Sequence, residues 1–264
     1  MLPSARITTP ALSALATAGL LTFSQSAAAI TTQSVDYQVD NQTFEGYYAK
    51  ADKPNAPFIL LIHDWDGLTD YERMRADMLA ERGYNVFAAD MFGKGVRPTT
   101  TDDKKRLTGA LYDDRNKMRR LLTGALNAGR EEGNDVRQGV TMGYCFGGTV
   151  ALELARAGFP QTAFVSFHGG LDTPPRQDYS KTQGKILVLH GSADESVSMD
   201  DFANLGKTLE TANVPHEMIT YSGAPHAFSV MGSERYDARA DKRSWARYMA
   251  FLDEKYPNNM MLMP

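Results

Sequence analysis

The residues best suited to covalent chemistry lie in one short segment, residues 143–147, with the sequence GYCFG. A predicted strand at 136–142 precedes this segment, and a helical pattern at 149–157 follows it. A cysteine between two glycines at a strand-to-helix junction is typical of a sharp turn that exposes a nucleophile, because larger flanking side chains would collide with the strand and the helix. Cys145 would also lie at a helix amino end, where the helix dipole favours a thiolate. A glycine-rich turn around a buried thiol is the alternative.

Two later segments could supply the partners of such a nucleophile. An apolar run at 187–189 leads into a loop that bears Asp194, and a loop of small residues at 222–227 contains His226. Taken alone, Asp194 is better explained as a helix cap and His226 as an incidental loop histidine. Together, Cys145, Asp194 and His226 follow the order nucleophile, acid, histidine, and each comes just after a predicted strand, at the edge where open α/β sheets carry their sites. The pattern therefore predicts a catalytic triad in which His226 activates Cys145 and Asp194 orients His226.

The loop after the first buried strand, residues 63–67 (HDWDG), is predicted to reach the same edge of the sheet. Nucleophilic attack on a carbonyl group creates a negative oxygen, which paired backbone N–H groups stabilise. The N–H of Phe146, the residue after the nucleophile, and the N–H of Trp65 are the candidates for this oxyanion hole.

Three further histidines, His63, His168 and His190, also lie at the ends of predicted strands. A metal site would be the more specific functional interpretation of these histidines, but the sequence has no H-x-H or H-E-x-x-H motif and only one cysteine. We therefore expect no metal and no cofactor, and we interpret these histidines as structural or pocket-lining.

The predicted elements that carry these loops alternate between strand and helix. Residues 34–39 and 43–49 alternate apolar and polar side chains around Asp40 and Asn41, which predicts an antiparallel hairpin. Further strands are predicted at 58–62, 85–89, 136–142, 162–167, 185–189 and 216–221, and helices at 71–82, 102–130 (one or two), 149–157, 199–212 and 237–255. The fold class is therefore α/β, with a mostly parallel central sheet, helices on both faces and an antiparallel N-terminal hairpin.

Composition and charge indicate an ordinary globular protein, and the small-molecule substrate is an expectation that follows from the predicted triad. The chain has 264 residues, of which 42% are hydrophobic, and its net charge is −4, which gives no reason to expect nucleic acid or an anionic membrane as a partner. Short basic clusters at 104–106 and 119–120 lie among acids and are interpreted as solvated helix faces. We expect a monomer or a small homo-oligomer.

The first 29 residues are predicted to be a signal peptide. Arg6 is followed by an apolar stretch at 11–23 and by small residues that end in Ala29, which fits the cleavage rule for exported proteins. We therefore expect an exported, periplasmic protein cleaved after Ala29; an uncleaved membrane anchor is the alternative. The remaining chain is divided into a catalytic domain at 30–256 and a flexible tail at 257–264.

Over residues 35–251 the sequence resembles the dienelactone hydrolase family. The segments that carry the resemblance are HDWDGL (63–68), ADMFG (89–93), GYCFGG (143–148), SFHG (166–169) and GAPHAF (223–228), together with Tyr236 and RSW (243–245). The resemblance implies an α/β-hydrolase fold and a Cys-Asp-His triad that hydrolyses carboxylic esters or lactones, through a thioester and without a cofactor.

The resemblance also implies roles for two groups near the nucleophile. An acid of the early loop, usually glutamate in the family and Asp64 here, contacts the resting thiol and helps to convert it to thiolate. Family members specialised for dienelactone carry a basic residue shortly after the histidine, where this chain has Ser229 and Val230. Arg97 is the candidate that could contact an anionic substrate instead, and a surface role for it is the alternative.

Two other classes of function compete with hydrolysis. A member of the fold that only binds a ligand or a protein partner would not need Cys145, Asp194 and His226 together. A redox-sensing thiol would need a second, resolving cysteine, which the sequence lacks.

Overall fold

Eight strands lie in the part of the chain that the computed structural model describes, residues 30–260. They are β1 (Thr31–Val39), β2 (Gln42–Lys50), β3 (Phe58–Ile62), β4 (Asn85–Ala89), β5 (Val140–Tyr144), β6 (Ala163–Phe167), β7 (Lys185–Gly191) and β8 (His216–Tyr221). They form one sheet in the order β1-β2-β4-β3-β5-β6-β7-β8. Pairing is antiparallel from β1 through β2 to β4 and parallel across the rest, which confirms the predicted fold class.

Helices cover both faces of this sheet. Within the same residues they are α1 (Asp70–Ala80), α2 (Thr101–Asp113), α3 (Arg115–Glu131), α4 (Phe146–Arg156), α5 (Met199–Thr211), α6 (Ala238–Lys255) and α7 (Pro257–Met260). Alternate residues of a strand point to opposite faces, and β3 shows the consequence. Leu60 packs in the core with α3, α4 and α5, whereas Leu61 packs in the core with α1 and α6. A strand covered on both sides needs no polar face, which explains its continuous apolar sequence.

The N-terminal hairpin has its predicted turn. Asp40 and Asn41 have φ angles of 49° and 62°, as the two central residues of a type I′ turn require. This turn matches the twist of the two strands that it joins, and β1 therefore pairs with β2 along its whole length.

Two sequence predictions need correction. The strand predicted at 136–142 begins only at Val140, because Arg137 and Gln138 are polar and residues 136–138 form a 3₁₀ turn. The tail predicted to be flexible from residue 257 begins with the short helix α7. Asn259 in that helix is buried and accepts a hydrogen bond from Lys53 Nζ (2.6 Å).

Residues 1–29 and 261–264, which contain the predicted signal peptide and the end of the tail, lie outside the described residues. From residue 30 to residue 260, no helix is both long and apolar enough to cross a membrane.

Helix α4 approaches the centre of the sheet very closely. A Cβ atom at Gly147 would lie 2.2 Å from the carbonyl oxygen of Ile62 in β3, which is far inside van der Waals contact with rigid backbone. Only glycine allows the helix to begin directly beside this strand.

We predict opposite effects on stability for two helical glycines. Gly147→Ala should lower the free energy of unfolding by about 3 kcal/mol or more, because neither backbone can move away. Gly109→Ala is the matched control: no heavy atom lies within 4 Å of the added methyl group in α2, and alanine should raise stability by up to about 1 kcal/mol. Urea denaturation of both variants measures the difference. A Gly147→Ala protein as stable as the wild type would contradict the close approach.

Candidate active site

The turn between β5 and α4 holds Cys145 in an unusual backbone conformation. Its φ and ψ are 50° and −112°, a region that costs a non-glycine residue about 1–3 kcal/mol and persists only where the surroundings enforce it. A Cβ atom at Gly143 would lie 2.3 Å from the carbonyl oxygen of Gly147, so the turn closes only without side chains at these positions. The strand and the helix therefore meet at a sharp bend that has the sulfur at its tip.

The structure brings the three predicted triad residues together. The Nε2 atom of His226 lies 3.1 Å from Cys145 Sγ, and its Nδ1 atom lies 2.8 Å from Asp194 Oδ2. The other carboxylate oxygen of Asp194 accepts hydrogen bonds from the backbone N–H groups of Ser196 and Val197, both at 2.8 Å. Asp194 thus caps its own loop with one oxygen and contacts the imidazole with the other.

The electrostatics of this arrangement favour a charged imidazole. Burial by itself would lower the pKa of His226, but the hydrogen bonds to Asp194 and Cys145 outweigh burial and raise this pKa to about 10. Burial opposes ionisation of Asp194 as well, yet the hydrogen bond and the charge of His226 lower its pKa below the ordinary value. The geometry can therefore hold an imidazolium ion beside the sulfur and an ionised carboxylate behind it.

A cleft of about 850 Å³ opens above the sulfur. The loop after β3, helix α2 and the start of α3 contribute to its walls. The residues that line it besides Cys145 and His226 are Asp64, Trp65, Thr101, Lys105, Tyr112, Arg115, Phe146, Thr149, Gly170, Asp172, Ser196, Val197, Ala227 and Arg235. The cleft is large enough for a small organic substrate.

The two predicted oxyanion donors border this cleft. Among residues 30–260, no hydrogen-bond acceptor lies on the backbone N–H of Phe146 or on that of Trp65. The loop that carries Trp65 is held by Lys104, whose Nζ atom lies 2.5 Å from Asp66 Oδ1 and 5.2 Å from the indole centroid. Both N–H groups are thus free to bind a substrate oxygen.

Asp64 lies in the cleft but contacts a different group from the one expected. Its Oδ1 atom accepts a hydrogen bond from the backbone N–H of Asp66 (2.7 Å), while the hydrogen bond of the sulfur is to His226. Burial raises the pKa of Asp64 to about 6, and burial together with the charge of Asp64 raises the pKa of Glu72 to about 8. The expected contact between Asp64 and the resting thiol is therefore not present in this conformation.

Arg97, predicted to contact an anionic substrate, does not line the cleft. Its Nε atom donates to the carbonyl oxygen of Leu68 (2.5 Å), and its Nη1 atom donates to Val96 (2.7 Å) and lies 3.8 Å from Asp90. The side chain thus joins the loop after β3 to the loop after β4, and this arrangement favours the structural role over contact with a substrate.

The basic groups of the cleft are instead Lys105, Arg115 and Arg235. The sequence did contain a signal for Lys105, because Thr101, Lys105 and Tyr112 are spaced to share one face of a helix. The sequence nevertheless favours a solvated face, because the basic cluster at 104–106 lies among acids. The cluster at 119–120 is only partly solvent-facing, since Arg119 pairs with the buried Glu153.

The three additional histidines have structural contacts. His63 Nδ1 donates to the carbonyl oxygen of Asp64 (2.5 Å) and its Nε2 accepts from Met91 N–H (3.0 Å), while burial lowers its pKa to about 4. His190 stacks on Phe202. His168 lies directly behind the nucleophile turn.

Comparison with known proteins agrees with this architecture. The sequence model of the dienelactone hydrolase family matches residues 44–256. A protein of Aquifex aeolicus (strain VF5) named "Putative carboxymethylenebutenolidase" is 27% identical over 220 residues, which cover 80% of this chain and 92% of that protein.

Two solved structures have the same fold over most of the chain. One, named m3DLH, is 28% identical with a TM-score of 0.80 and covers 86% of this chain and 98% of its own. The other is a dienelactone hydrolase-like promiscuous phosphotriesterase from metagenomic libraries, which is 30% identical with a TM-score of 0.79 and covers the same shares. With a family match over residues 44–256 and these neighbours, the chain belongs to the dienelactone hydrolase family of hydrolases.

Proposed function

We propose that this protein hydrolyses carboxylic esters or lactones, with Cys145 as the nucleophile. The observation that carries the proposal is the continuous set of contacts from Cys145 Sγ through His226 to Asp194, at the floor of an open cleft. Membership of a hydrolase family supports the class of reaction.

In the first half of the reaction the thiolate of Cys145 attacks the substrate carbonyl carbon. The negative oxygen that forms is bound by the N–H groups of Phe146 and Trp65, which stabilise it more than the starting carbonyl. The intermediate collapses, the bond to the alcohol oxygen breaks, and His226 gives its proton to that oxygen. The product of this half is a thioester on Cys145 and a neutral imidazole.

The second half uses the same groups in reverse. Neutral His226 takes a proton from water as the water oxygen attacks the thioester carbonyl, and collapse expels the thiolate of Cys145. The acid is released, and the imidazolium beside the thiolate is restored. Asp194 keeps Nδ1 protonated throughout, so that Nε2 is the atom that exchanges the proton.

The charge of the cleft favours a substrate that carries an anionic group. Three cations line it, Lys105, Arg115 and Arg235, against the two acids Asp64 and Asp172. Arg115 lies 3.4 Å from Glu153, whereas Lys105 and Arg235 are exposed and form no salt bridge among the described residues. We assign Lys105, which lies on helix α2, to the substrate's anionic group, and Arg235 is the second candidate.

Cys145→Ala should lower the rate of p-nitrophenyl acetate hydrolysis by about 10³-fold or more, because no other group can form the thioester. In the wild type, acid quenching followed by mass spectrometry should find one acetyl group on the peptide that contains Cys145. Ser166→Ala is the matched control. It removes a buried hydroxyl that has no hydrogen-bond partner in the described residues, and it should keep wild-type activity. A Cys145→Ala protein with half the wild-type rate would refute the nucleophile.

Asp194→Asn should lower kcat by about 10²–10⁴-fold and change KM little, because Asp194 orients His226 but does not line the cleft. The amide oxygen can still cap the loop, but the lost charge should lower the pKa of His226 from about 10. This pKa is raised in the folded protein, so the stabilising contribution of charged His226 is complete below about pH 6.5, while Asp194 stays ionised, and is lost as the pH rises through about 10. Titration of the His226 ring by NMR, and unfolding of both proteins between these pH values, test the shift. An unchanged His226 titration would contradict it.

Lys105→Met should lower kcat/KM for the p-nitrophenyl monoester of succinic acid by about 10-fold, the usual effect of losing a charge-assisted hydrogen bond. The rate on neutral p-nitrophenyl butyrate should stay the same. Arg106→Met makes the same charge change one residue along α2, outside the residues that line the cleft, and should affect neither ester. If Lys105→Met and Arg106→Met lower the rates on the anionic and the neutral ester by the same factor, the preference for an anionic substrate is disproved.

A further inference from the structure

Behind the nucleophile turn lies a histidine that the proposed reaction does not use. His168 follows β6 directly, is fully buried, and has a φ of 39°. Its Nδ1 atom lies 3.2 Å from the backbone nitrogen of Cys145, and its Nε2 atom lies 2.8 Å from Ser229 Oγ. The two ends of one imidazole ring therefore contact the turn of the nucleophile and the loop of His226.

We infer that His168 and Ser229 are positioning residues that join the nucleophile turn to the loop of the catalytic histidine and so set the distance between Cys145 Sγ and His226 Nε2. The inference rests on the proposed function in that it assigns these two residues to the same reaction. Neither residue lines the cleft, so they act through Cys145 and His226 and not on the substrate.

The hydrogen bonds of the ring have only one possible direction. The N–H of Cys145 can only donate, and it is shared between Phe167 O (3.0 Å) and His168 Nδ1. Nδ1 must therefore lack a proton, and Nε2 carries the hydrogen that it donates to Ser229 Oγ. Burial and the nearby charge of His226 lower the pKa of His168 well below its ordinary value. The ring thus stays a neutral imidazole even when His226 is charged.

The Ser229 end of this connection is fixed by helices α1 and α6. Ser229 lies three residues after His226, and its hydroxyl lies 3.2 Å from the hydroxyl of Tyr71 in α1. Its carbonyl oxygen accepts hydrogen bonds from Tyr71 and from Arg75 Nη2, both at 3.0 Å. Arg75 is itself fully buried and pairs with Asp241 of α6 at 2.5 Å. The loop of the catalytic histidine is therefore anchored to α1 and α6, and His168 transmits that anchor to the nucleophile.

The same ring also contacts the catalytic histidine. The ring centroids of His168 and His226 are 5.6 Å apart with an interplanar angle of 65°, so the edge of one ring packs on the face of the other. Loss of the His168 ring would remove a hydrogen bond that holds the backbone of Cys145 and a ring contact that holds His226 in its orientation. A misplacement of about 1 Å between reacting groups is enough to lower a rate by about 10²-fold.

The test measures the sulfur directly as well as the reaction. Rates of alkylation of Cys145 by iodoacetamide at pH 6 measure the reactivity of the sulfur beside His226, and kcat and KM for p-nitrophenyl acetate measure turnover. For His168→Phe we expect both the alkylation rate and kcat to fall by about 10- to 100-fold, with KM changed by less than about twofold. His168→Asn retains an acceptor at the Nδ1 position and should recover part of that loss.

Ser229→Ala tests the other end of the connection. It removes only the partner of Nε2 and should lower kcat and the alkylation rate less than His168→Phe does. The double variant should be no worse than His168→Phe alone, because the two residues share one interaction. If His168→Phe does not fold, Ser229→Ala and His168→Asn carry the same test with smaller changes.

His190→Phe is the matched control. His190 is equally buried at the end of the next strand, but neither of its ring nitrogens has a hydrogen-bond partner among the described residues. This variant should keep the wild-type alkylation rate and kcat.

Three results would each overturn the inference. They are a wild-type alkylation rate and kcat in His168→Phe, a loss of activity that only matches the fraction of unfolded protein, and additive effects in the double variant. A wild type that is alkylated quickly but hydrolyses no ester would refute the proposed function, and slower alkylation of His168→Phe would still support the positioning role.

Discussion

The contact between Cys145 Sγ and His226 Nε2 depends on the fact that parallel strands end at one common edge. β5, β7 and β8 run parallel within the sheet, so the loops after them emerge on the same side. Residues that are far apart in the sequence are thereby brought within 3.1 Å of each other. Any change that shifts one of these strands along its neighbour would move a side chain by about 3.3 Å per residue and break the contact.

Close packing at the turn supplies the precision that strand order alone does not. Glycines at 143 and 147 let α4 start against β3, and this fixes where the backbone of Cys145 lies. The connection through His168 and Ser229 then relates that backbone to the loop of His226. The sulfur and the imidazole are therefore held by two independent sets of contacts, one steric and one of directional hydrogen bonds.

Buried charges hold the rest of the cleft in place. Glu153 of α4 is fully buried, and a carboxylate there is stable only because arginines surround it. Arg119 and Arg156 contact it at 2.5 and 3.0 Å, and Arg115 approaches to 3.4 Å from the start of α3. Since Arg115 also lines the cleft, the same carboxylate ties α4, which follows Cys145, to the part of the cleft wall that α3 forms.

Much of the fold, and the meeting of Cys145, Asp194 and His226, could be predicted from the sequence, because both depend on local patterns. Apolar runs of strand length, glycines at forced turns and the order of Cys145, Asp194 and His226 are all properties of short segments. The predicted signal peptide is likewise a local pattern, and export remains a proposal based on it. Tertiary structure alone decided which charges line the cleft: the sequence suggested Arg97, and Lys105 lies there while Arg97 contacts Leu68. Those outcomes depend on which carbonyl or carboxylate the folded chain places within reach of a long side chain, and residue spacing along the sequence does not encode that distance.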